Sequence, residues 1–247
     1  MFFYKFLNKS IFILITLCLS YISNGQNADR QYEYLDSKYG KNQQLFQGEL
    51  YISGKRVDFG SPFLISEKPH NLKIYYGNVE YRGLLANYDL NKQEVVLTYN
   101  TNLNIKRQII LNTKAIDSFN INGKAFIKDT FNLSQVNFLE KAGEGVGLKC
   151  YLTYYKYYGF ENKGNDSGFG YSKLITKKYL LVDNKLLLFK SKRNFLNLIP
   201  QDIRAAALQY IKKNPVRFKN WDSNLYNDFF KYLNTLKLWF FYALFIR

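Results

Sequence analysis

The side chains that most often carry acid–base or nucleophilic chemistry are few in this sequence. His70, beside Pro69, is the single histidine, and Cys18 and Cys150 are the two cysteines. Zinc sites built on His and Cys ligands need more of these residues, and a Ser-His-Asp triad would depend on His70 alone. Cys150 lies in a predicted strand over residues 148–153 and fits a buried small apolar side chain there. The sequence therefore predicts no metal centre and no catalytic cysteine or histidine.

Carboxylates are the remaining candidates for catalysis. A glycosidase needs two of them facing each other across a cleft, about 5–10 Å apart. Four acidic residues in the strand-rich part of the chain are candidates, namely Glu49, Glu80, Asp89 and Glu94. Nothing in their spacing selects a pair, so a secreted carboxylate-dependent hydrolase stays an alternative hypothesis that requires two of them in one cleft.

Three glycines alternate in AGEGVG, at Gly143, Gly145 and Gly147. A phosphate-binding loop would need a strand before it, a helix after it and often a Lys-Ser/Thr pair. Here the chain continues into LKCYLTYYKYYGF, which has the β-branched and aromatic composition of a strand. The glycines therefore predict a turn or a bulged strand start, and neither a nucleotide nor another cofactor is expected.

Aromatic residues are densest over residues 150–160. With a strand period of two, one side carries Tyr151, Thr153, Tyr155 and Tyr157, and the other carries Leu152, Tyr154, Lys156 and Tyr158. An exposed tyrosine row stacks on sugars or bases, and a lysine adds affinity for an anionic polymer. The candidate ligand contacts are Tyr151, Tyr155, Lys156 and Tyr157. The alternative is that these rings pack the core and edge of the sheet.

Polar turns separate apolar runs along most of the chain and define the elements that would hold these residues. Asn122-Gly123 fits a type I′ turn, and Ser53-Gly54, Gly77-Asn78, the tip 89–93 and Asp183-Asn184 fit further hairpins. The predicted segments are a first hairpin over 46–65, strands at 72–76, 79–85, 93–99 and 105–112, a hairpin over 115–127, and a last hairpin ending at residue 190. The predicted fold is α+β and mainly antiparallel β: a twisted multi-strand meander or a partly closed barrel with a small C-terminal helical part.

The period changes to a helical one after residue 190. Ser191 fits the N-cap of a short helix, residues 201–213 have a helical apolar pattern, and Asp222 or Ser223 fits the cap of a third helix. The apolar stripe predicted for the third helix consists of Leu225, Phe229, Tyr232, Leu233 and Leu236. The segment 236–247, LKLWFFYALFIR, is too short to span a bilayer. It is predicted either to contact a membrane interface or to pack on the protein.

Residues 1–25 have the pattern of a secretory signal peptide. Lys5 and Lys9 precede an uncharged apolar stretch, and Ser23 and Gly25 are the small residues expected before a cleavage site. The alternatives are an uncleaved anchor, or a lipoprotein acylated at Cys18, where Leu17 stands in place of a small residue. The predicted organisation is a signal at 1–25, a β domain at 26–190, a helical part at 191–235 and an apolar aromatic tail at 236–247. The predicted location is the periplasm, the outer membrane or the exterior.

The chain is strongly basic, with 35 Lys and Arg against 19 Asp and Glu among 247 residues. Removal of residues 1–25 would lower the formal net charge from +16 to +14. Such a charge favours anionic partners such as polysaccharides, lipid head groups or nucleic acid. A second explanation is the Lys- and Asn-rich composition common in proteomes of AT-rich genomes.

Three stretches resemble a family of uncharacterised exported proteins of Bacteroidetes. They are GSPFLI at 60–65, YYGNVEYRGLLANYDL at 75–90 and IILNTKAIDSFNINGKAFI at 109–127. The resemblance covers most of the chain after residue 25 and implies a β-rich fold followed by a small helical part. Its motifs are structural turns, and it implies no activity, cofactor or catalytic residue.

Three functions are compatible with these observations. The first is a non-catalytic envelope or secreted protein that binds an anionic glycan or lipid surface. The second is a structural partner of an outer-membrane complex, docking through the C-terminal helices or through the tail at 236–247. The third is the carboxylate-dependent hydrolase. No specific nucleic acid is expected.

Overall fold

Alternating apolar residues between polar turns form thirteen strands and three α-helices in the described part of the chain. The structure, a computed structural model, describes residues 45, 48–52, 55–101, 104–134, 136–162 and 167–245, with side chains up to residue 236. The predicted signal at 1–25, the turn at Ser53-Gly54 and the last two residues of the tail lie outside these residues. The strands are β1 (Glu49–Leu50), β2 (His70–Tyr76), β3 (Val79–Asp89), β4 (Glu94–Asn100), β5 (Lys106–Ile110), β6 (Ile116–Ile121), β7 (Lys124–Lys128), β8 (Phe138–Gly145), β9 (Leu148–Tyr155), β10 (Tyr158–Glu161), β11 (Gly168–Tyr171), β12 (Ile175–Val182) and β13 (Lys185–Phe189). The helices are α1 (Lys192–Leu198), α2 (Gln201–Lys213) and α3 (Ser223–Phe245).

Eleven of the strands form one antiparallel sheet in the order β1-β5-β4-β3-β2-β6-β7-β8-β9-β12-β13. The strands β10 and β11 pair separately as a two-stranded sheet. The predicted α+β class and antiparallel meander are confirmed, and the sheet is open because the order ends at β1 and β13. The strand β2 lies in the middle of the sheet, between β3 and β6, although it is the first long strand in the chain.

Three of the predicted hairpin turns form as type I′ turns between paired strands. Asn122-Gly123, Gly77-Asn78 and Asp183-Asn184 each place two successive residues at positive φ, between 47° and 81°. This is the geometry of a type I′ turn, whose twist matches that of the flanking strands. The hairpins β6–β7, β2–β3 and β12–β13 form around these three turns. Val146-Gly147 makes a fourth turn of this kind, at φ values of 49° and 80°.

The sheet curls strongly, and aromatic side chains fill its concave side. On a flat sheet, β3 and β8 would lie about 19 Å apart, because four strand spacings separate them. The ring of Tyr88 in β3 nevertheless lies 6.0 Å from that of Phe138 in β8, and 5.3 and 5.4 Å from those of Phe119 and Phe126. Edge-to-face contacts of this kind add stability beyond the burial of apolar area. The curl brings the β3–β4 turn against β9, where Gln93 Nε2 donates a hydrogen bond of 2.9 Å to the carbonyl oxygen of Tyr154.

The helices begin at the predicted caps. Ser191 Oγ accepts a hydrogen bond from the Asn194 N–H, and Asp222 Oδ1 accepts one from the Leu225 N–H, so Asp222 caps α3. Among the α3 side chains that the structure describes, those of residues 223–236, the fully buried ones are Tyr226, Phe229, Phe230 and Leu233. Only Phe229 and Leu233 of the predicted stripe belong to this set. The backbone of α3 continues as a helix through Phe245, so most of the predicted tail is helical.

Two glycines of β8 let α3 approach the sheet. A Cβ atom at Gly143 would lie 2.6 Å from Cδ2 of Phe230 and 2.9 Å from the carbonyl oxygen of Tyr226. A Cβ atom at Gly145 would lie 2.8 Å from the Phe230 carbonyl oxygen. The β8–β9 register also shifts between Lys141 and Gly143. The alternating glycines therefore form a bulge and a turn, as the strand interpretation predicted, and two of them also contact α3, which was not predicted.

The first predicted hairpin differs from the structure. The strand β1 pairs with β5, with Glu49 opposite Ile110, and not with the residues that follow the turn at 53–54. Those residues make isolated bridges instead, between Phe59 and Gly170 and between Phe63 and Asp89. Pro62 has no N–H group to donate to a ladder, which explains why this stretch does not continue as a strand.

Candidate functional site

The hairpin of β10 and β11 carries four aromatic residues on one face. Tyr158 pairs with Tyr171 and Phe160 pairs with Phe169, and alternate residues of a strand share a face. Ring centroids lie 5.3 Å apart for Tyr158 and Tyr171, 6.1 Å for Tyr158 and Phe169, and 5.3 Å for Phe160 and Phe169. We call these four residues the aromatic ladder. Phe160 is 58% exposed and Phe169 is 44% exposed, so its outer end is open to solvent.

The other face of the hairpin is nearly free of side chains because glycine occupies it. A Cβ atom at Gly170 would lie 2.2 Å from the Phe59 carbonyl oxygen, and one at Gly168 would lie 2.7 Å from Asp58 Oδ2. The close approach allows the Asp58 N–H to donate to the Phe169 carbonyl oxygen at 2.7 Å. Asp58 Oδ2 in turn accepts the Phe169 N–H, and this bond, followed by that from Arg56, lowers the pKa of Asp58. The hairpin is thus held from its glycine face, which leaves the outer rings of the aromatic face, Phe160 and Phe169, exposed.

Cations border the aromatic ladder. Lys55 Nζ lies 4.4 Å from the centre of the Tyr158 ring, within the range of a cation–π contact. The Tyr158 hydroxyl donates a hydrogen bond of 2.7 Å to the Arg56 carbonyl oxygen, which fixes the ring. The Arg56 side chain is 81% exposed but forms an ion pair with Asp58 at 2.9 Å. The ladder is therefore an apolar strip bordered by the positive charge of Lys55.

A cleft of about 720 Å³ lies beside the segment that holds the hairpin. We call it the basic cleft; its lining residues are Leu50, Tyr51, Val57, Gly60, Pro62, Phe63, Glu67, Ile105, Lys106, Arg107 and Gln108. The rings of Tyr51 and Phe63 lie 5.9 Å apart in its wall. Lys106 and Arg107 are exposed on β5, and no ion pair of the described residues involves either one. The cleft therefore offers free cations next to aromatic rings.

A buried polar cluster fixes the wall of the basic cleft. The Tyr51 hydroxyl donates to Asp89 Oδ2 at 2.9 Å, while Asp89 Oδ1 accepts the N–H groups of Asn91 and Lys92. Burial, followed by the charge of Asp89, raises the pKa of Tyr51. Lys156 Nζ donates to the carbonyl oxygens of Phe63 and Ser61 at 2.6 and 2.9 Å. Tyr51 and the segment 61–63 are thus held in place before any ligand arrives.

The four candidate carboxylates do not form a catalytic pair in the cleft. Asp89 and Glu94 are opposite each other at the β3–β4 turn, but the Asp89 carboxylate is occupied by structural hydrogen bonds. Burial raises the pKa of Glu94, and the charge of Asp89 raises it further. Glu80 pairs with Arg82 and Lys73, and these bonds lower its pKa to about 2. Among the described residues, the one carboxylate that lines the cleft is Glu67.

The structure places the four candidate ligand contacts, which lie on and after β9, apart from one another. Tyr151 and Tyr155 are buried, and Tyr151 packs against Leu139 and Tyr179. Lys156 holds the wall of the basic cleft, and Tyr157 is 51% exposed. The four residues therefore do not share one open surface. The aromatic ladder was not among the candidates, although its mirrored pattern, Tyr-Gly-Phe at 158–160 and Phe-Gly-Tyr at 169–171, is visible in the sequence.

A second buried carboxylate, Glu140, lies apart from the cleft and beneath α3. Glu140 is fully buried and accepts hydrogen bonds from Lys124 Nζ, at 3.1 and 3.3 Å, and from the Tyr154 hydroxyl. Lys124 Nζ also donates to Ser223 Oγ at the start of α3. Burial and the Glu140 carboxylate raise the pKa of Tyr154. This network joins the sheet to the helix.

Cys150 and His70 do not line the basic cleft. Burial raises the pKa of the Cys150 thiol, and His70 Nε2 lies 3.0 Å from Ser66 Oγ. Over the residues whose placement is described, no three His, Cys, Asp or Glu side chains are arranged to hold a metal ion. The helices in this part of the chain also lack the length and apolar character needed to cross a membrane.

Comparison with protein-family models, with curated proteins and with solved structures finds no match. The resemblance to exported Bacteroidetes proteins therefore stays a prediction from the sequence. The aromatic ladder and the basic cleft are the features of the structure that bear on function.

Proposed function

We propose that this protein is a non-catalytic exported binding protein whose ligand is an anionic glycan. The observation that carries the proposal is the aromatic ladder, whose outer rings, Phe160 and Phe169, are exposed on a hairpin whose reverse face is mostly glycine. Contiguous exposed apolar patches mark interaction sites in soluble proteins. The pyranose ring of a sugar has an apolar C–H face, which stacks on aromatic rings.

The ladder and the basic cleft form one binding surface in this proposal. Phe59 pairs with Gly170 of the hairpin, and its neighbours Val57 and Gly60 line the cleft. Tyr171 at the inner end of the ladder also contributes to the raised pKa of Tyr51, after burial and Asp89. A chain of sugars lying on the ladder would therefore continue toward Lys106 and Arg107, where acidic groups of the glycan find cations.

The features of the cleft favour binding over hydrolysis. A glycosidase needs two carboxylates that flank the bond to be cleaved. Glu67 alone lines the cleft among the described residues, and Asp89 is committed to Tyr51 and to its own turn. Export is proposed on the signal pattern of residues 1–25, and the net charge of +14 that remains after their removal suits an anionic cell envelope.

The test is co-sedimentation of the purified protein with insoluble polygalacturonate, an anionic glycan, and with insoluble dextran, a neutral one, at low and high salt. We expect binding to polygalacturonate that weakens with salt, because exposed charges are screened within about 10 Å at 0.1 M ionic strength. The double variant F160S/F169S should lose most of this binding, and K106Q/R107Q should reduce it and its salt dependence.

Two controls separate the ladder from general surface effects. Leu174→Ser removes another apolar side chain that is 44% exposed, just before β12, and should leave glycan binding unchanged. K212Q/K213Q removes two exposed positive charges at the end of α2. The proposal fails if no polygalacturonate is bound at low salt. It also fails if binding is to vesicles of phosphatidylglycerol and not to glycan.

A further inference from the structure

A second basic surface lies where β13 gives way to the helices. It is a groove of about 500 Å³ lined by Thr176, Lys177, Lys178, Leu188, Phe189, Lys190, Phe218 and Lys219. We call it the lysine groove. Half of its lining residues are lysines, and none is acidic. The groove shares no residue with the aromatic ladder or the basic cleft.

The groove forms because β12 is longer than β13 and extends beyond its end. The pairing of β12 with β13 ends where Lys178 is opposite Phe189, so Thr176 and Lys177 extend beyond the end of β13. The chain leaves β13 through Lys190 and enters α1. The 3₁₀ turn Phe218–Asn220, which precedes α3, closes the third side. The lysines therefore come from three separate segments that the fold brings together.

The positive charge in the groove has no carboxylate partner among the described residues. Lys178 Nζ donates to three carbonyl oxygens, those of Lys219, Trp221 and Phe218, at 2.9, 3.3 and 3.5 Å. Those bonds are to neutral groups, and burial lowers the pKa of Lys178. Lys177 Nζ lies 4.8 Å from the centre of the Tyr155 ring. No ion pair of the described residues includes Lys177, Lys178, Lys190 or Lys219.

Like charges confined to one concave surface raise its potential, and an anion that binds there lowers the electrostatic energy. A lysine ammonium is a compact point charge that suits a phosphoryl group. The floor of the groove is apolar, because the rings of Phe189 and Phe218 are buried 6.2 Å apart and Leu188 is 44% exposed beside them. The groove thus combines cations for a phosphoryl group with an apolar floor for the rest of a ligand.

We propose that the lysine groove binds a phosphorylated sugar, with its phosphoryl group between Lys190 and Lys219 and its ring against the exposed side chain of Leu188. A volume of about 500 Å³ is within the usual range of small-molecule sites and suits a phosphorylated monosaccharide. The sugar phosphate is either free or the head group of a glycolipid, since both present the same chemistry. This site is independent of the glycan surface proposed above.

The first experiment is isothermal titration calorimetry of the full chain with glucose 6-phosphate, and with glucose as the uncharged comparison. We expect glucose 6-phosphate to bind and glucose not to bind. The variant K190Q/K219Q should weaken binding about 100-fold, because the loss of one charge-assisted hydrogen bond costs about tenfold in affinity. Both side chains are exposed, so the variant should keep the melting temperature of the wild type.

The matched control is K212Q/K213Q, which removes the same net charge from the exposed end of α2 and should change the affinity less than twofold. The variant F160S/F169S should bind glucose 6-phosphate as the wild type does, which separates this site from the glycan surface. The second experiment is co-sedimentation with phosphatidylcholine vesicles that carry a phosphorylated glycolipid, lipid A. Binding to these vesicles but not to glucose 6-phosphate, lost in K190Q/K219Q, would assign the site to a lipid-linked sugar phosphate. The proposal is overturned if neither probe binds at millimolar concentration, or if K212Q/K213Q weakens binding as much as K190Q/K219Q does.

Discussion

Replacing Gly143 by alanine tests the contact on which the helical part depends. The added Cβ atom would lie 2.6 Å from Cδ2 of Phe230 and 2.9 and 3.1 Å from the carbonyl oxygen and carbon of Tyr226. Ordinary van der Waals contacts begin near 3.4 Å. The Phe230 ring is fully buried and 5.2 Å from the ring of Phe229, so it has little room to move away. The backbone of α3 must therefore shift.

The size of this shift of α3 sets the expected loss of stability. Moving a packed helix by about 0.5 Å loses part of its dispersion contacts, and overpacking of this kind costs about 1–3 kcal/mol. Alanine has less conformational freedom than glycine in the unfolded chain, which offsets this loss of stability by about 0.4–1 kcal/mol. The net loss is about 1–2 kcal/mol. For a chain of this size, 1 kcal/mol corresponds to about 2–4 °C, so the melting temperature should fall by about 2–8 °C.

The assay is thermal unfolding followed by circular dichroism, with Gly159→Ala as the matched control. Gly159 is also in a strand, has no positive φ, and has nothing within 4 Å of an added Cβ atom. That variant should unfold at or slightly above the wild-type temperature. If Gly143→Ala unfolds together with Gly159→Ala, α3 does not approach β8 as closely as described, and the argument for glycine at this position is wrong.

Three further predictions concern charged side chains that are partly buried. Burial and the charge of Asp89 raise the pKa of Glu94, so the stability linked to its protonated form is present below the ordinary pKa of 4.5 and is lost as pH rises through the folded-state pKa. Glu94→Gln should therefore melt at a higher temperature than the wild type at pH 7, and this difference should vanish below about pH 4 in a pH series of melting curves. An equal difference at every pH would refute this cause. Lys124→Met leaves the buried Glu140 carboxylate without its cation and should lower the free energy of unfolding in urea by about 3–5 kcal/mol. The double variant K124M/E140M should lose less, and a double variant that is less stable than the single one would contradict the ion-pair explanation. Lys178→Met removes the donor to three carbonyl oxygens at 218–221 and should speed amide hydrogen exchange there, while unchanged protection would show that the bonds contribute nothing.

Local chemistry explains which parts of the fold were predictable from the sequence. Asn122-Gly123 and Asp183-Asn184 specify their hairpins through residues that adopt positive φ readily. Ser191 and Asp222 specify helix starts through side chains that accept backbone hydrogen bonds. Each of these signals acts over two to four residues. The pairing of β1 with β5 joins Glu49 to Ile110 across sixty residues, and no local pattern encodes such a partner.

The candidate site was less predictable because exposure depends on distant segments. Tyr151 and Tyr155 have the alternation of an exposed row, but β9 lies inside the sheet and its neighbours bury both rings. Phe160 and Phe169 form an equally short pattern, but their hairpin lies outside the main sheet and stays exposed. The segment at Asp58 and Phe59 holds that hairpin from one face, and its role appears only when the chain is folded.

The central position of β2 has a consequence for the order in which the chain is made. Synthesis from the N-terminus completes β3, β4 and β5 on one side of β2 before the partner for its other side, β6, exists. Until residues 116–121 have been added, that side of β2 is an unpaired sheet edge, and such edges promote aggregation. A fragment that stops before β6 would keep this edge permanently. For a chain that crosses a membrane N-terminus first, as proposed here, β2 to β5 emerge on the far side before β6, and that interval is the period in which a holding chaperone would have the most effect.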